Sequence, residues 1–124
     1  MAKILVADDS PEILHVLSMI LRDAGHDTTT ASDGHEALQL LELNHYDLLI
    51  TDIVMPNKEG IETIIAARRK APDLKIIAMS GGGSWMTAQQ YLDMASKLGA
   101  AKVLPKPFSR TDALLAISQV LGET

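Results

Sequence analysis

The 124-residue sequence has no cysteine, which excludes disulfides and thiolate metal sites. It also lacks any long apolar run: Ile4-Leu5-Val6-Ala7 and Ile76-Ile77-Ala78-Met79 fall far short of the ~20 residues a membrane span needs. The first of these runs meets Asp8 and Asp9 at once, so it cannot be the apolar stretch of a secretory signal. Basic charge is in deficit as well, with 11 Lys and Arg against 16 Asp and Glu and a net charge of −5. The one basic cluster, Arg68-Arg69-Lys70, is too short to make a phosphate-binding surface and reads as the solvated end of a helix. Together these absences imply a soluble, cytoplasmic protein with no membrane insertion and no direct contact with nucleic acid.

The sequence does have enough apolar residues, 47%, in a length suited to one domain with a sizeable core. Hydrophobic period divides the chain into five repeats of strand then helix. Lys3–Ala7 is a short apolar run; Ser10–Asp23 then sets Leu14, Leu17 and Leu21 on one helical face beside Ile13 and Ile20. Ser10 suits an N-cap with Pro11 at the first helical position, and Gly25 follows as a stop. Asp27–Ala31 is a weaker, threonine-rich strand, followed by a helix over Gly34–Asn44 with Ala37, Leu38 and Leu41 inward. Leu48–Thr51 is the third strand, and Gly60–Lys70 a helix with Ile61, Ile64 and Ile65 inward. Lys75–Met79 precedes a helix from about Thr87 to Leu98 bearing Tyr91, Leu92 and Ala95. Lys102–Leu104 precedes a last helix over Ser109–Leu121, opened by Ser109 and Asp112 as a capping pair. Strands and helices alternating on short connections imply an α/β fold, a five-stranded parallel sheet with helices on both faces. The last helix runs nearly to Thr124, so one domain over residues 1–124 without an output domain is expected.

In such a sheet the ligand site lies outside the carboxyl ends of the strands. The first strand ends in Asp8-Asp9, the third in Asp52 and the fourth in Ser80, while Lys106 follows the fifth between Pro105 and Pro107. Adjacent strands are ~4.8 Å apart, so these groups can share one pocket. Two carboxylates ~4 Å apart repel by about 4 kcal/mol at an effective dielectric near 20, so three acids require a counter-charge. A hard divalent cation, best Mg2+, meets that need beside the Lys106 ammonium and still holds a phosphate oxygen. Asp52 is then placed as a nucleophile that forms an acyl phosphate. Taken singly, each residue has a plainer reading: Asp8-Asp9 could complement a helix dipole, Asp52 and Ser80 could be turn residues, and Lys106 could be solvated. The four histidines, His15, His26, His35 and His45, lack metal-ligand spacing and read as solvated. Met55, Met79 and Met94 read as core filler.

The paired acids, the segment Asp52-Ile53-Val54-Met55-Pro56 followed by Gly60, Ser80 with Gly81, and Lys106-Pro107-Phe108 resemble the receiver domain of bacterial response regulators across essentially the whole chain. The resemblance implies the flavodoxin-like strand order 2-1-3-4-5. It implies that Asp52 takes a phosphoryl group from a phosphohistidine on a sensor kinase or histidine phosphotransfer protein, in two-component or phosphorelay signalling that switches contacts with a downstream protein. Asp9 and Asp52 would ligate Mg2+ directly, Asp8 through water and Val54 through its carbonyl. Lys106 and the Ser80 hydroxyl would meet phosphate oxygens, and the bond before Pro107 would be cis. The first-helix side near His15 and Ser18 would dock the kinase. The protein would catalyse its own phosphorylation and dephosphorylation without being a conventional enzyme.

Two features depart from the family pattern. Val103 stands where an aromatic residue usually couples to the serine, and the stretch from Ser80 to Gly99 is longer than usual and opens Gly81-Gly82-Gly83-Ser84-Trp85. Trp85 is therefore expected to supply the switching aromatic group, with simple packing on the fourth helix as the alternative. By the resemblance, Val54 and Gly82 stand at positions whose side chains help or hinder the hydrolytic water in this family, and since neither can orient water, slow loss of the phosphoryl group is expected. An aspartyl phosphatase of the dehalogenase type is the competing class, but it wants an acid two residues after its nucleophile, where Asp8 and Asp52 have Ser10 and Val54. A nucleotide or flavin binder lacks its glycine motif after the first strand. A scaffold that works without phosphorylation would not need the full acid set.

Overall fold

The computed structural model describes residues 2–53, 59–80 and 87–122. Five strands, β1 (Lys3–Ala7), β2 (Asp27–Ala31), β3 (Leu48–Asp52), β4 (Lys75–Ser80) and β5 (Lys102–Pro105), alternate with five helices. These are α1 (Pro11–Asp23), α2 (Gly34–Leu43), α3 (Glu59–Lys70), α4 (Ala88–Lys97) and α5 (Arg110–Leu121). The strands form one sheet in the order β2-β1-β3-β4-β5, each neighbouring pair parallel. No helix among the described residues is long and apolar enough to cross a membrane.

The central strands are apolar on both sides because helices cover both faces of the sheet. Alternate residues serve alternate layers. Leu5, Leu49, Ile76 and Ala78 pack with Ala37 of α2 and Ile64 and Ala67 of α3. Ile4, Val6, Leu48, Ile50, Ile77 and Met79 pack instead with Leu17 and Leu21 of α1 and Ala113, Ala116 and Ile117 of α5. Local chemistry sets the helix starts. The Ser10 hydroxyl accepts from the Ile13 N–H with Pro11 behind it, and Ser109 and Asp112 close a reciprocal capping box. Asp33 caps α2 by accepting from the Glu36 N–H at 2.8 Å. The strands β3, β4 and β5 each run one residue beyond the sequence-based limits, so that Asp52, Ser80 and Pro105 are terminal strand residues.

Three sequence expectations are corrected. Ser18 is not on an exposed docking side but is 7% exposed, because it shares the inward arc of α1 with Leu14, Leu17 and Leu21. Val16 and Met19 are the apolar residues that α1 leaves exposed. Ile65 is exposed rather than inward, and Thr63 takes the buried place beside Ile64. His26 is buried, not solvated: its Nδ1 accepts from the Ala2 N–H at 3.0 Å and pins the start of the chain to the head of β2. Of the proposed inward residues of α4, the side chains of Tyr91, Leu92 and Ala95 lie outside the described residues, as do Met55 and Pro56.

On β2, Thr28 is buried opposite Ile4, and its Oγ1 is the buried side-chain polar atom without a hydrogen-bond partner among the described residues. A desolvated hydroxyl with no partner costs about 1–3 kcal/mol. Thr28→Val keeps the branched shape and removes that group, so it should stabilise the fold by about 1 kcal/mol. The check is a urea titration, in which the midpoint rises while the slope stays unchanged.

Candidate functional site

At the carboxyl edge of the sheet, β1 and β3 lie side by side and deliver Asp8 and Asp52 to one place. Asp8 is fully buried, its N–H held by the Ala31 carbonyl at 3.1 Å, so the acid is fixed by the sheet as it leaves β1. Its Oδ1 accepts from the Ser10 N–H at 2.9 Å, an Asx turn that leads straight into α1. Asp52 is 5% exposed, and Asp9, next to Asp8, faces solvent. Ligand atoms of Asp8, Asp9 and Asp52 all lie within 4.8 Å of one another.

Lys106 reaches this cluster from the loop after β5, where the Lys106–Pro107 bond is cis. Its Nζ donates to Asp8 Oδ2 at 2.8 Å and to Asp52 Oδ2 at 3.0 Å. Partial burial pulls the ammonium pKa down. The hydrogen bonds to Asp8 and Asp52, with the attraction of the two carboxylates, outweigh that and hold it above the usual lysine value. The lysine is therefore a fixed cation at neutral pH. Three carboxylates against one ammonium leave the cluster strongly negative, and an all-oxygen donor set of this kind suits a hard divalent cation.

A second backbone feature shapes the site. Gly60, in the first turn of α3, lies so close to β3 that a Cβ there would overlap the Asp52 carbonyl oxygen and the Ile53 backbone. Only glycine lets α3 start directly against the acid-bearing strand end.

A family model described as the response regulator receiver domain matches residues 4–118. The chain belongs to this family. It is 35% identical over 122 residues to the DNA-binding transcriptional regulator NtrC of Rhizobium meliloti, covering 98% of this chain and 24% of that protein. It is 36% identical over 121 residues to the transcriptional regulatory protein CpxR of Escherichia coli, covering 98% of this chain and 50% of that protein. The chain thus spans between about a quarter and a half of these curated relatives. Among solved structures, the Vibrio cholerae chemotaxis protein CheY4 superposes with a TM-score of 0.86 at 32% identity, covering 98% of this chain and 99% of that one. A CheY-like receiver domain from Methanospirillum hungatei gives a TM-score of 0.88 at 28% identity, over 98% and 94% of the two chains.

Within this receiver domain, then, four of the residues singled out from sequence, Asp8, Asp9, Asp52 and Lys106, come together. Ser80 ends β4 with Pro105 as its register partner, but its side chain is outside the described residues, as are Val54, Gly82 and Trp85. Val103 is half-buried and packs, with Leu98 and Ala100, against the core layer of α2 and α3. His15, His35 and His45 are exposed. Sequence reasoning missed the Ser10 N–H as the group that orients Asp8. The signal was available, since an aspartate two residues before a helix cap favours an Asx turn.

Proposed function

We propose that this receiver domain is a phospho-accepting switch in which Asp52 takes the phosphoryl group from a phosphohistidine on a sensor kinase or phosphotransfer protein. The observation that carries this reading is a nearly buried carboxylate, Asp52, held by an ammonium on one oxygen and set within ligand distance of two further acids. An Asp52 oxygen attacks phosphorus, the phosphorus–nitrogen bond to the donor breaks, and the imidazole leaves with the electron pair. Lys106 is already charged and can move from pairing carboxylates to pairing a phosphoryl oxygen. Asp8 has one oxygen on the Ser10 N–H and the other on Lys106, so it serves as a fixed negative wall more than a free ligand.

Asp9 and Asp52, with the Val54 carbonyl, are the groups that would hold Mg2+ directly, with Asp8 acting through water, and the Ser80 hydroxyl is the group that would meet the acyl phosphate. When bound, the ion supplies positive charge that offsets both the clustered acids and the developing phosphoryl oxygens. Phosphorylation at this edge would alter contacts with a downstream protein, with Trp85 and Val103 as the residues to watch, and Val54 and Gly82 favour a long-lived acyl phosphate.

The test is incubation of the purified chain with acetyl phosphate, with and without Mg2+, followed by intact-mass measurement and peptide mapping. The expected result is one added phosphoryl group, dependent on Mg2+ and located at Asp52. Steady hydrolysis of unrelated phosphomonoesters without a modified chain would favour the phosphatase class instead.

A further inference from the structure

Thr51, one residue before the proposed acceptor, is fully buried in β3 between register partners Ala7 and Ala78, which are themselves fully buried. Its strand neighbours Leu48, Leu49 and Ile50 are all aliphatic, and an aliphatic β-branched residue would suit this place as well for packing. The hydroxyl instead donates to the carbonyl oxygen of Asp52 at 3.2 Å. Such a hydrogen bond contributes only about 0.5–1.5 kcal/mol net, against the cost of desolvating the hydroxyl, so packing and strand preference do not account for it.

That same carbonyl is the one against which Gly60 of α3 is pressed. The other side of the Asp52–Ile53 peptide is also held, because the Ile53 N–H donates to the Met79 carbonyl at 3.1 Å. The peptide is thus gripped by a hydroxyl from β3, a carbonyl from β4 and the backbone of α3. Its plane sets the direction of the Asp52 Cα–Cβ bond, and with it where the carboxylate points.

We propose that Thr51 is a positioning residue: its hydroxyl fixes the Asp52–Ile53 peptide so that the carboxylate faces the incoming phosphorus. This rests on the reading of Asp52 as the phosphoryl acceptor. Rates of phosphoryl transfer fall steeply with misaim, a displacement near 1 Å costing about a hundredfold, so a small tilt should cost about tenfold.

The experiment compares wild type, Thr51→Val and Thr51→Ser, measuring the rate of acetyl phosphate labelling at Asp52 by mass and the urea midpoint of each protein. Valine keeps the shape without the hydroxyl, whereas serine keeps the hydroxyl but loses a buried methyl group. The expected result is a crossed order. Thr51→Val keeps a wild-type or higher midpoint but labels about tenfold more slowly, and Thr51→Ser has a lower midpoint but labels within about twofold of wild type. A merely structural role ranks rates and midpoints the same way and overturns the proposal, as does a Thr51→Val protein that labels at the wild-type rate. Absence of labelling in the wild type would overturn the acceptor reading and this proposal together; normal wild-type labelling with uncrossed variants overturns this proposal alone.

Discussion

Lys106→Met is expected to destabilise the protein by about 3 kcal/mol in buffer freed of divalent cations, lowering Tm by roughly 10 °C. Two buried carboxylates, Asp8 and Asp52, take their ammonium partner from this one side chain. Methionine fills much of the same volume but leaves those charges facing each other, and breaking a buried pair from one side costs about 3–5 kcal/mol. The lower figure applies because the lysine side chain is 20% exposed and part of the attraction is screened. The pH dependence has a defined sign. A lysine whose folded pKa is raised contributes fully below its unfolded value of about 10.4 and loses that contribution only as pH climbs through the folded value. The stability difference between wild type and variant should therefore stay flat across neutral pH and shrink only in strongly alkaline buffer. Millimolar Mg2+ should restore part of the lost stability, since ligand bound to the native state adds RT ln(1 + [L]/Kd). Labelling by acetyl phosphate should nonetheless fall by about 10²–10³, the usual effect of removing one charge-stabilising donor from a reacting centre. Equal stability of variant and wild type without Mg2+ would remove the ion-pair argument.

The fold was open to reading because its pattern is repetitive and strong. Leu48-Leu49-Ile50 is apolar without alternation, as a strand covered on both faces must be, and α1 carries its leucines on one arc. Expectation and structure differ where residue type and angular position disagree. Ser18 lies on the arc of Leu14, Leu17 and Leu21, so periodicity places it inside although its hydroxyl suggests otherwise. Ile65 lies outside the arc shared by Gly60, Thr63, Ile64 and Ala67, and its apolar character pulled it inward.

The site divides along a different line. Asp8, Asp9, Asp52 and Lys106 could be grouped from sequence because topology alone carries strand ends to one edge. Among the supports, the turn from Asp8 Oδ1 to the Ser10 N–H is signalled by spacing, but that His26 binds the Ala2 N–H and that α3 abuts the Asp52 carbonyl are facts of backbone approach. Side-chain identity carries little trace of them beyond the glycine at position 60.

Asp52→Asn is expected to have effects of opposite sign, loss of all phosphoryl uptake and a gain of about 1–2 kcal/mol in stability without divalent cations. The amide cannot form an acyl phosphate, so the intact-mass shift should vanish. The stability gain follows from charge. At an effective dielectric near 20, each neighbouring carboxylate, lying within 4.8 Å, repels Asp52 by at least about 3.5 kcal/mol before solvent weakens the Asp9 share. Lys106 at 3.0 Å attracts it by about 5.5 kcal/mol on the same scale, so repulsion and attraction nearly cancel. Asp52 is also only 5% exposed, so its charge carries a desolvation cost that asparagine relieves while Lys106 keeps its bond to Asp8. The same substitution removes one of the carboxylates proposed to hold the cation, so the rise in Tm on adding Mg2+ should shrink, and the two proteins should converge in stability as Mg2+ increases. An Asp52→Asn protein less stable than wild type in chelator would mean that Lys106 already neutralises the cluster. The excess negative charge invoked to recruit a cation would then not exist.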